Sequence, residues 1–153
     1  MPDKKQVFIA SDHAGFELKE AMQPIIEGLG YVVIDCGPDA FVSDDDYPDH
    51  IAPLAKRVMQ EESLGIIFGG SGQGEAIVAN RIAGIRAAVY YGGSEDIVRL
   101  SREHNDANVL SVGARFCTQE EAQSAIELWL RTPFSQAERH VRRLKKLSEL
   151  MVS

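Results

Sequence analysis

Two features of the sequence predict an α/β protein built on a parallel sheet. Short β-rich runs alternate with longer stretches of helical periodicity, the pattern of strands joined by crossover helices lying on both faces. The runs are also apolar almost throughout rather than at every second residue, as strands covered on both faces must be. Taken in order, Gln6–Ala10 predicts the first strand and Ala14–Leu29 the first helix. Tyr31–Cys36 predicts the second strand, followed by a loop rich in Asp, Gly and Pro. Pro48 suits a helix's first turn, and that helix runs to about Gln60. Leu64–Phe68 predicts a buried third strand, then a glycine loop and a helix from about Gly74 to Arg81. Arg86–Tyr91 is the expected fourth strand, with Ser94 able to cap a helix ending near Arg102. Asn108–Val112 is the fifth. Thr118 followed by Glu121 spells a capping box for a helix that ends near Arg131, before Pro133. A last helix is expected over Ser135–Leu150, with Leu144, Leu147, Leu150 and Met151 at helical spacing and no strand after it, so a partner subunit is its expected cover. The sum is a single three-layer, Rossmann-like domain over residues 1–153: a five-stranded parallel sheet, helices on both faces, and a C-terminal helix packing on a partner.

Composition bounds the function. At 153 residues, 44% hydrophobic and 25% charged, the chain is an ordinary globular domain, large enough to bury a core without staples. No apolar run approaches the length of a membrane span. Met1-Pro2-Asp3-Lys4-Lys5 leads straight into the first strand without an apolar signal region. Cys36 and Cys117 make neither a disulfide framework nor a metal quartet, which fits a reducing, cytoplasmic setting and buried structural thiols. A net charge of −7 argues against nucleic acid and anionic membrane as partners. Charge is uneven, however: between Arg131 and Lys146 six bases face one acid, Glu138. A cationic patch on an acidic protein suits a small anionic ligand.

In open parallel sheets, ligands bind beyond the carboxyl ends of the strands, so the loops there hold the candidates. Ser11-Asp12-His13-Ala14-Gly15 puts a carboxylate and an imidazole at a helix N-terminus, where they either shuttle a proton or merely cap the helix. Gly69-Gly70-Ser71-Gly72-Gln73-Gly74-Glu75 lets backbone N–H groups approach an anion closely. It lacks the Lys-Ser/Thr of a nucleotide phosphate loop and the spacing of a dinucleotide fingerprint. Glu75 in the following turn is either a base or a residue complementing the helix dipole. His104 and Asn105 precede the fifth strand, at the amino end of the sheet, so they are structural or serve a neighbouring subunit. Arg115 lies just beyond the fifth strand. Arg139 and Arg143, one helical turn apart, share a face suited to phosphate, or form a solvated basic face. Asp44-Asp45-Asp46 lacks the alternating ligand spacing of a calcium loop and is expected to be a solvated turn ahead of a helix.

These pieces, in this order, resemble one family. Ser11–Gly15, Asp46-Tyr47-Pro48-Asp49, the glycine loop followed by Ala79-Asn80, Gly84–Ala88, Arg102–Asn105, Ala107-Asn108 and Arg139-His140-x-Arg142-Arg143 together resemble the type B ribose-5-phosphate isomerases of the ribose/galactose isomerase family. The resemblance covers Val7 to about Leu147. It implies aldose–ketose isomerisation of a sugar phosphate through an enediolate, with no metal and no cofactor. It also implies a homodimer, in some members a tetramer, with active sites shared between subunits, so that His104 and Asn105 would act across the interface. Many members carry a cysteine base at the start of the glycine loop. Gly69 stands there in this chain, which resembles the branch using the glutamate instead.

The resemblance implies catalytic roles for Glu75 as base, for Ser71 and the N–H groups of Gly70, Gly72 and Gly74 as an oxyanion hole, and for His104 and Asp12 in ring opening. Arg139, Arg143, His13, Arg115 and His140 would hold the phosphate, with Asn105 and Tyr47 completing the substrate site. Two influences oppose each other at Glu75: the helix N-terminus favours its ionised form, and burial disfavours it. The competing readings are a sister isomerase for allose, galactose or tetrulose phosphate, a non-catalytic sugar-phosphate-binding domain, and a nucleotide-binding module.

Overall fold

The computed structural model describes residues 4–150. Met151, the last of the apolar residues expected along the C-terminal helix, lies outside them. Strands β1 (Gln6–Ser11), β2 (Val32–Asp35), β3 (Leu64–Gly69), β4 (Ala87–Tyr90) and β5 (Val109–Gly113) form one sheet in the order β2-β1-β3-β5-β4. Every pairing is parallel. The helices are α1 (Phe16–Gly28), α2 (Pro48–Gln60), α3 (Gln73–Asn80), α4 (Asp96–Glu103), α5 (Gln119–Arg131) and α6 (Glu138–Glu149). From β1 the chain runs outward to β2 and then returns to β3 on the other side. Strand order therefore reverses between β1 and β3, which opens a crevice at their carboxyl ends.

The period-2 geometry of the strands divides their apolar residues between two cores. Val7, Ile9, Ile66, Phe68, Leu110 and Val112 face Met22 and Ile26 of α1, Val98 of α4, and Ile126 and Trp129 of α5. Phe8, Ala10, Ile67 and Val109 face the other way, toward Ile51, Leu54 and Val58 of α2 and Ala79 of α3. Each large side chain buried in this way contributes roughly 2 kcal/mol. One cation is enclosed as well: Lys19 is fully buried, with Nζ 2.8 and 2.9 Å from the Asp35 carboxylate oxygens and 2.7 Å from the Pro38 carbonyl. The pair fastens α1 to the start of the β2–α2 loop. Removing Asp35 would leave the buried Lys19 ammonium with only the Pro38 carbonyl and the more distant, exposed Glu20 carboxylate at 3.4 Å.

Local chemistry decides where the elements begin. Asp12 Oδ1 accepts the Gly15 N–H at 3.0 Å, a turn that delays α1 to Phe16. Proline opens α2 at residue 48, as expected. The Thr118–Glu121 capping box forms with both bonds at 3.0 Å. The expected cap at Ser94 does not form. Glu95 occupies the N-cap of α4, and Ser94 Oγ instead accepts the Asp96 N–H in a local turn. Helix α6 starts later than Ser135, because that residue turns back: its Oγ accepts the Ala137 N–H and lies 2.8 Å from His140 Nδ1, while Gln136 sits at φ +60°. Cys36 and Cys117 are half-buried rather than enclosed, and burial pushes both thiols above their ordinary pKa.

Helix α6 crosses the amino end of the sheet near β4. Beside it runs a groove of about 570 Å³ lined by Ile85, Ala87, Ala88, Ala107, Leu144 and Leu147 among others. Leu147 and Leu150 of α6 remain 45% and 74% exposed.

Candidate active site

The crevice at the switch point holds the first group of predicted residues. Ser11 of β1 pairs with Phe68 of β3, so Asp12 and the glycine loop leave adjacent strands side by side. Gly72 takes φ +79°, a left-handed conformation that turns the loop sharply into α3, with Gly72 as the N-cap. The turn is anchored from β5, where Ser111 Oγ donates to the Gly72 carbonyl at 2.6 Å. The N–H groups of Ser71 and Gly72 meet no protein acceptor among the described residues, while Ser71 Oγ accepts the Gln73 N–H at 3.2 Å. These donors, at a helix N-terminus, have the chemistry to meet an anion.

Glu75 lies in the first turn of α3 and is only 4% exposed. Its carboxylate fills the space over Gly69. A Cβ added to that glycine would lie 2.1 Å from Glu75 Cδ, so no side chain at position 69 is compatible with this rotamer. Burial is the main influence on this carboxyl group and raises its pKa. Its own backbone N–H pulls the other way. The negative charge of Asp12, and a hydrogen bond to Asp12 that favours the protonated acid, raise it further. Of the two opposing influences expected from sequence, burial prevails. The result is a carboxylate that takes up a proton more readily than an ordinary glutamate, the property a general base needs near neutral pH.

Arg115 and Tyr47 border this group. The Arg115 N–H donates to the Gly70 carbonyl at 3.0 Å, and its exposed guanidinium lies over Gly70. The Tyr47 ring rests on Gly74, where an added Cβ would come 2.9 Å from Cζ. His13 follows Asp12 and is half-buried, its Nδ1 2.8 Å from Asp45 Oδ1.

The remaining candidates gather at the opposite end of the sheet. His104 is the C-cap of α4, and its ring stacks on His140 of α6 at a centroid distance of 4.2 Å. His140 is 4% exposed, and desolvation, reinforced by electrostatic repulsion from His104, Arg139 and Arg143, lowers its pKa. Two arginines grip the turn carrying His104 and Asn105. Arg86 donates to the Asn105 and Asp106 carbonyls, and Arg102 bonds Asp106 Oδ1 and the carbonyls of Ala107 and Thr132. Asn105, Arg139 and Arg143 are exposed. One chain thus brings Asp12, His13, Tyr47, the glycine loop, Glu75 and Arg115 together, but not with His104, Asn105, Arg139, His140 and Arg143.

One residue departs from expectation. The Asp44–Asp46 turn is not uniformly solvated: the Asp45 side chain is 8% exposed and bridges His13 and His50. Composition hid this, because three consecutive aspartates ahead of a helix have the same pattern whether one turns inward or none does. No group of His, Cys, Asp and Glu among the described residues is arranged to hold a metal ion. No helix among them is long and apolar enough to cross a membrane.

Fold and site together define a parallel α/β enzyme with a buried carboxylate and an anion-binding loop at its switch point. The chain belongs to the Ribose/Galactose Isomerase family, whose model matches residues 7–147. It is 43% identical over 145 residues to ribose-5-phosphate isomerase B of Mycolicibacterium paratuberculosis, covering 94% of this chain and 90% of that one. Among solved structures it is similar to ribose-5-phosphate isomerase B of Clostridium thermocellum, with a TM-score of 0.89, 38% identity, and 95% and 96% of the two chains covered. It is also similar to the Mycoplasma genitalium enzyme with bound ribulose-5-phosphate, with a TM-score of 0.89, 36% identity and 94% of each chain covered.

Proposed function

We propose that this protein interconverts ribose 5-phosphate and ribulose 5-phosphate through an enediolate, with Glu75 as the base. The observation that carries this reading is the Glu75 carboxylate: buried, raised in pKa and lying over Gly69 beside free backbone donors. Glu75 removes the proton from C2 of the open-chain aldose and returns it to C1, while the hydroxyl proton of O2 passes to O1, so that the C1 aldehyde becomes a hydroxyl and C2 a ketone. The negative charge that develops on oxygen is met by the N–H groups of the glycine loop and by the Ser71 hydroxyl. Each such donor is typically worth roughly 3 kcal/mol of barrier. Asp12 and His104 move protons during ring opening. Arg139 and Arg143 hold the phosphate together with His13, Arg115 and His140, while Tyr47 and Asn105 complete the walls. The phosphate ligands act by positioning, far from the reacting carbons.

This assignment requires two copies. The base lies at the carboxyl end of the sheet, and the His104–His140 stack and the arginines lie at the amino end, so the complete set forms when a second chain presents its amino end to the crevice. The apolar groove beside α6 and the exposed Leu147 and Leu150 supply a surface for that contact. A symmetric dimer carries two such composite sites.

Proton NMR of the protein with ribose 5-phosphate in D₂O tests the reaction. Appearance of the ketose, with deuterium entering at the transferred position, is the expected result. Folded protein yielding neither ketose nor exchange would remove ribose 5-phosphate as substrate.

A further inference from the structure

Asp45 lies in a loop without regular structure, between exposed Asp44 and exposed Asp46, yet its side chain is 8% exposed. One of its oxygens, Oδ1, takes two bonds from a single residue: the His13 backbone N–H at 3.0 Å and the His13 ring Nδ1 at 2.8 Å. Its other oxygen faces His50 Nε2 at 3.0 Å. An ionised carboxylate only accepts hydrogen bonds, so His13 Nδ1 must carry the hydrogen. Burial would push the Asp45 carboxyl up, but the hydrogen bonds from His13 and the charges of His50 and His13 outweigh it and hold the group below the ordinary aspartate range. The acceptor state is therefore the stable one. Two bonds from backbone and ring to the same oxygen fix both the main chain and the side-chain torsions of His13. Phe41 meets the ring in a T-shaped arrangement, with ring centroids 6.4 Å apart.

We propose that Asp45 is a positioning residue: by accepting both the backbone and the Nδ1 N–H groups of His13 it fixes that ring's orientation, so that with the anionic group of the substrate bound the ring is protonated on both nitrogens and donates from Nε2–H. The proposal rests on the reading of His13 as a substrate ligand. The same loop continues into Tyr47, so the clamp also joins the segment lying on Gly74 to the loop after β1. His50 meets the other carboxylate oxygen and makes no hydrogen bond to His13 among the described residues, so it anchors the clamp without orienting the ring.

The experiment is a set of variants assayed with ribose 5-phosphate, together with ¹⁵N NMR of the histidine rings. Asp45→Ala is expected to raise KM about tenfold with kcat within about twofold, the signature of lost positioning outside the chemical step. His13→Ala is expected to match it, and the double variant to be no worse than His13→Ala, because residues acting through one another are not additive. Asp45→Asn, whose amide oxygen can accept the same two N–H groups, is expected to bring KM back to within about threefold of wild type. In the ring spectra, wild-type His13 should show a fixed protonated Nδ1, and Asp45→Ala a mixture of tautomers. Additive effects in the double variant, an unchanged His13 ring signal in Asp45→Ala, or a His50→Ala enzyme with the same KM rise as Asp45→Ala would each overturn the clamp. If His13→Ala alone leaves KM unchanged, His13 is not a ligand and the proposal falls while the isomerase reading stands. If wild-type protein does not turn over ribose 5-phosphate, inorganic phosphate titrated against the His13 ring signals decides the matter. A shift at Nε2 in wild type that weakens in Asp45→Ala supports the clamp, and no difference between the two removes it.

Discussion

The two ends of the sheet are built on opposite electrostatic principles. At the carboxyl end, Asp12 and Glu75 are 6% and 4% exposed, and burial, with the neighbouring Asp12 charge, raises the cost of ionising Glu75. At the amino end, Arg139 and Arg143 stand in solvent, and the turn carrying His104 is held by arginines. The contrast separates two tasks. A carboxylate becomes a useful base by being kept from water, whereas a phosphate ligand must be reached from outside and needs only charge and forked geometry. In the proposed composite site each end supplies what the other lacks: the carboxyl end the buried carboxylate, the amino end the Arg139 and Arg143 pair.

The largest expected effect breaks the carboxyl end alone. Glu75→Gln keeps the shape and the buried position but cannot accept a proton. It should lower kcat by about 10³-fold with KM little changed, because base catalysis typically contributes 10²–10⁴-fold. Steady-state kinetics on the folded variant checks this, and near-normal turnover would remove Glu75 from the mechanism. In wild type, kcat/KM should fall as pH drops through the raised pKa of Glu75, placing the acid limb above the ordinary glutamate value. Gly69→Ala asks a geometric question of the same end. Its methyl would need the space that the Glu75 carboxylate fills, so the base should be displaced and kcat should drop by about 10²-fold, the cost of misplacing a reacting group by roughly 1 Å.

Breaking the amino end should look different. Arg143→Ala removes a proposed phosphate ligand distant from the reacting carbons, so KM for ribose 5-phosphate should rise by about tenfold or more while kcat changes less. The two ends can then be recombined. Glu75→Gln and His104→Ala, each inactive alone, damage different halves of the proposed composite site. Subunits mixed and allowed to exchange should recover about a quarter of wild-type activity, since half of the dimers would be hybrids and each hybrid would carry one intact site. No recovery from exchanged subunits would mean that each chain catalyses with its own two ends.

How much of this was legible beforehand follows the range of the interactions involved. The five strands and six helices were readable because their signals are local: apolar runs, Pro48, and the Thr118–Glu121 box. The placement of His104 and Asn105 at the wrong end for a single-chain site was readable too, since strand direction fixes which loops share an edge. Three things were not. Asp45 turns inward only because His13 and His50 converge on it from other elements, and nothing in Asp44-Asp45-Asp46 marks the middle residue. The start of α6 shifted because Ser135 pairs with His140 rather than continuing the helix. The balance at Glu75 between helix terminus and burial depended on Gly69 and Asp12 lying against it, a tertiary fact.

The smallest effects are on stability, and they should run in opposite directions at Glu75 and at Asp45, the carboxylate that holds His13. Glu75 has a raised pKa in the folded chain, so between the ordinary glutamate value of about 4.3 and its folded value the unfolded chain loses this proton first. Ionisation of Glu75 therefore costs stability as pH rises through that window, and the loss is complete above it. Glu75→Gln escapes the cost: its melting temperature should exceed wild type at neutral pH, with the gap closing as pH falls toward 4. Asp45 has a lowered pKa and contributes stability that is fully present above the ordinary aspartate value of about 3.9 and is lost as pH falls through its folded value. Asp45→Asn should therefore melt below wild type at neutral pH and converge with it only under more acidic conditions. Thermal melts of both variants across pH 3–8 separate the signs. Two curves that moved in the same direction would mean that the carboxylates are strained or satisfied together, and that the buried base does not stand apart from the residues that position its substrate.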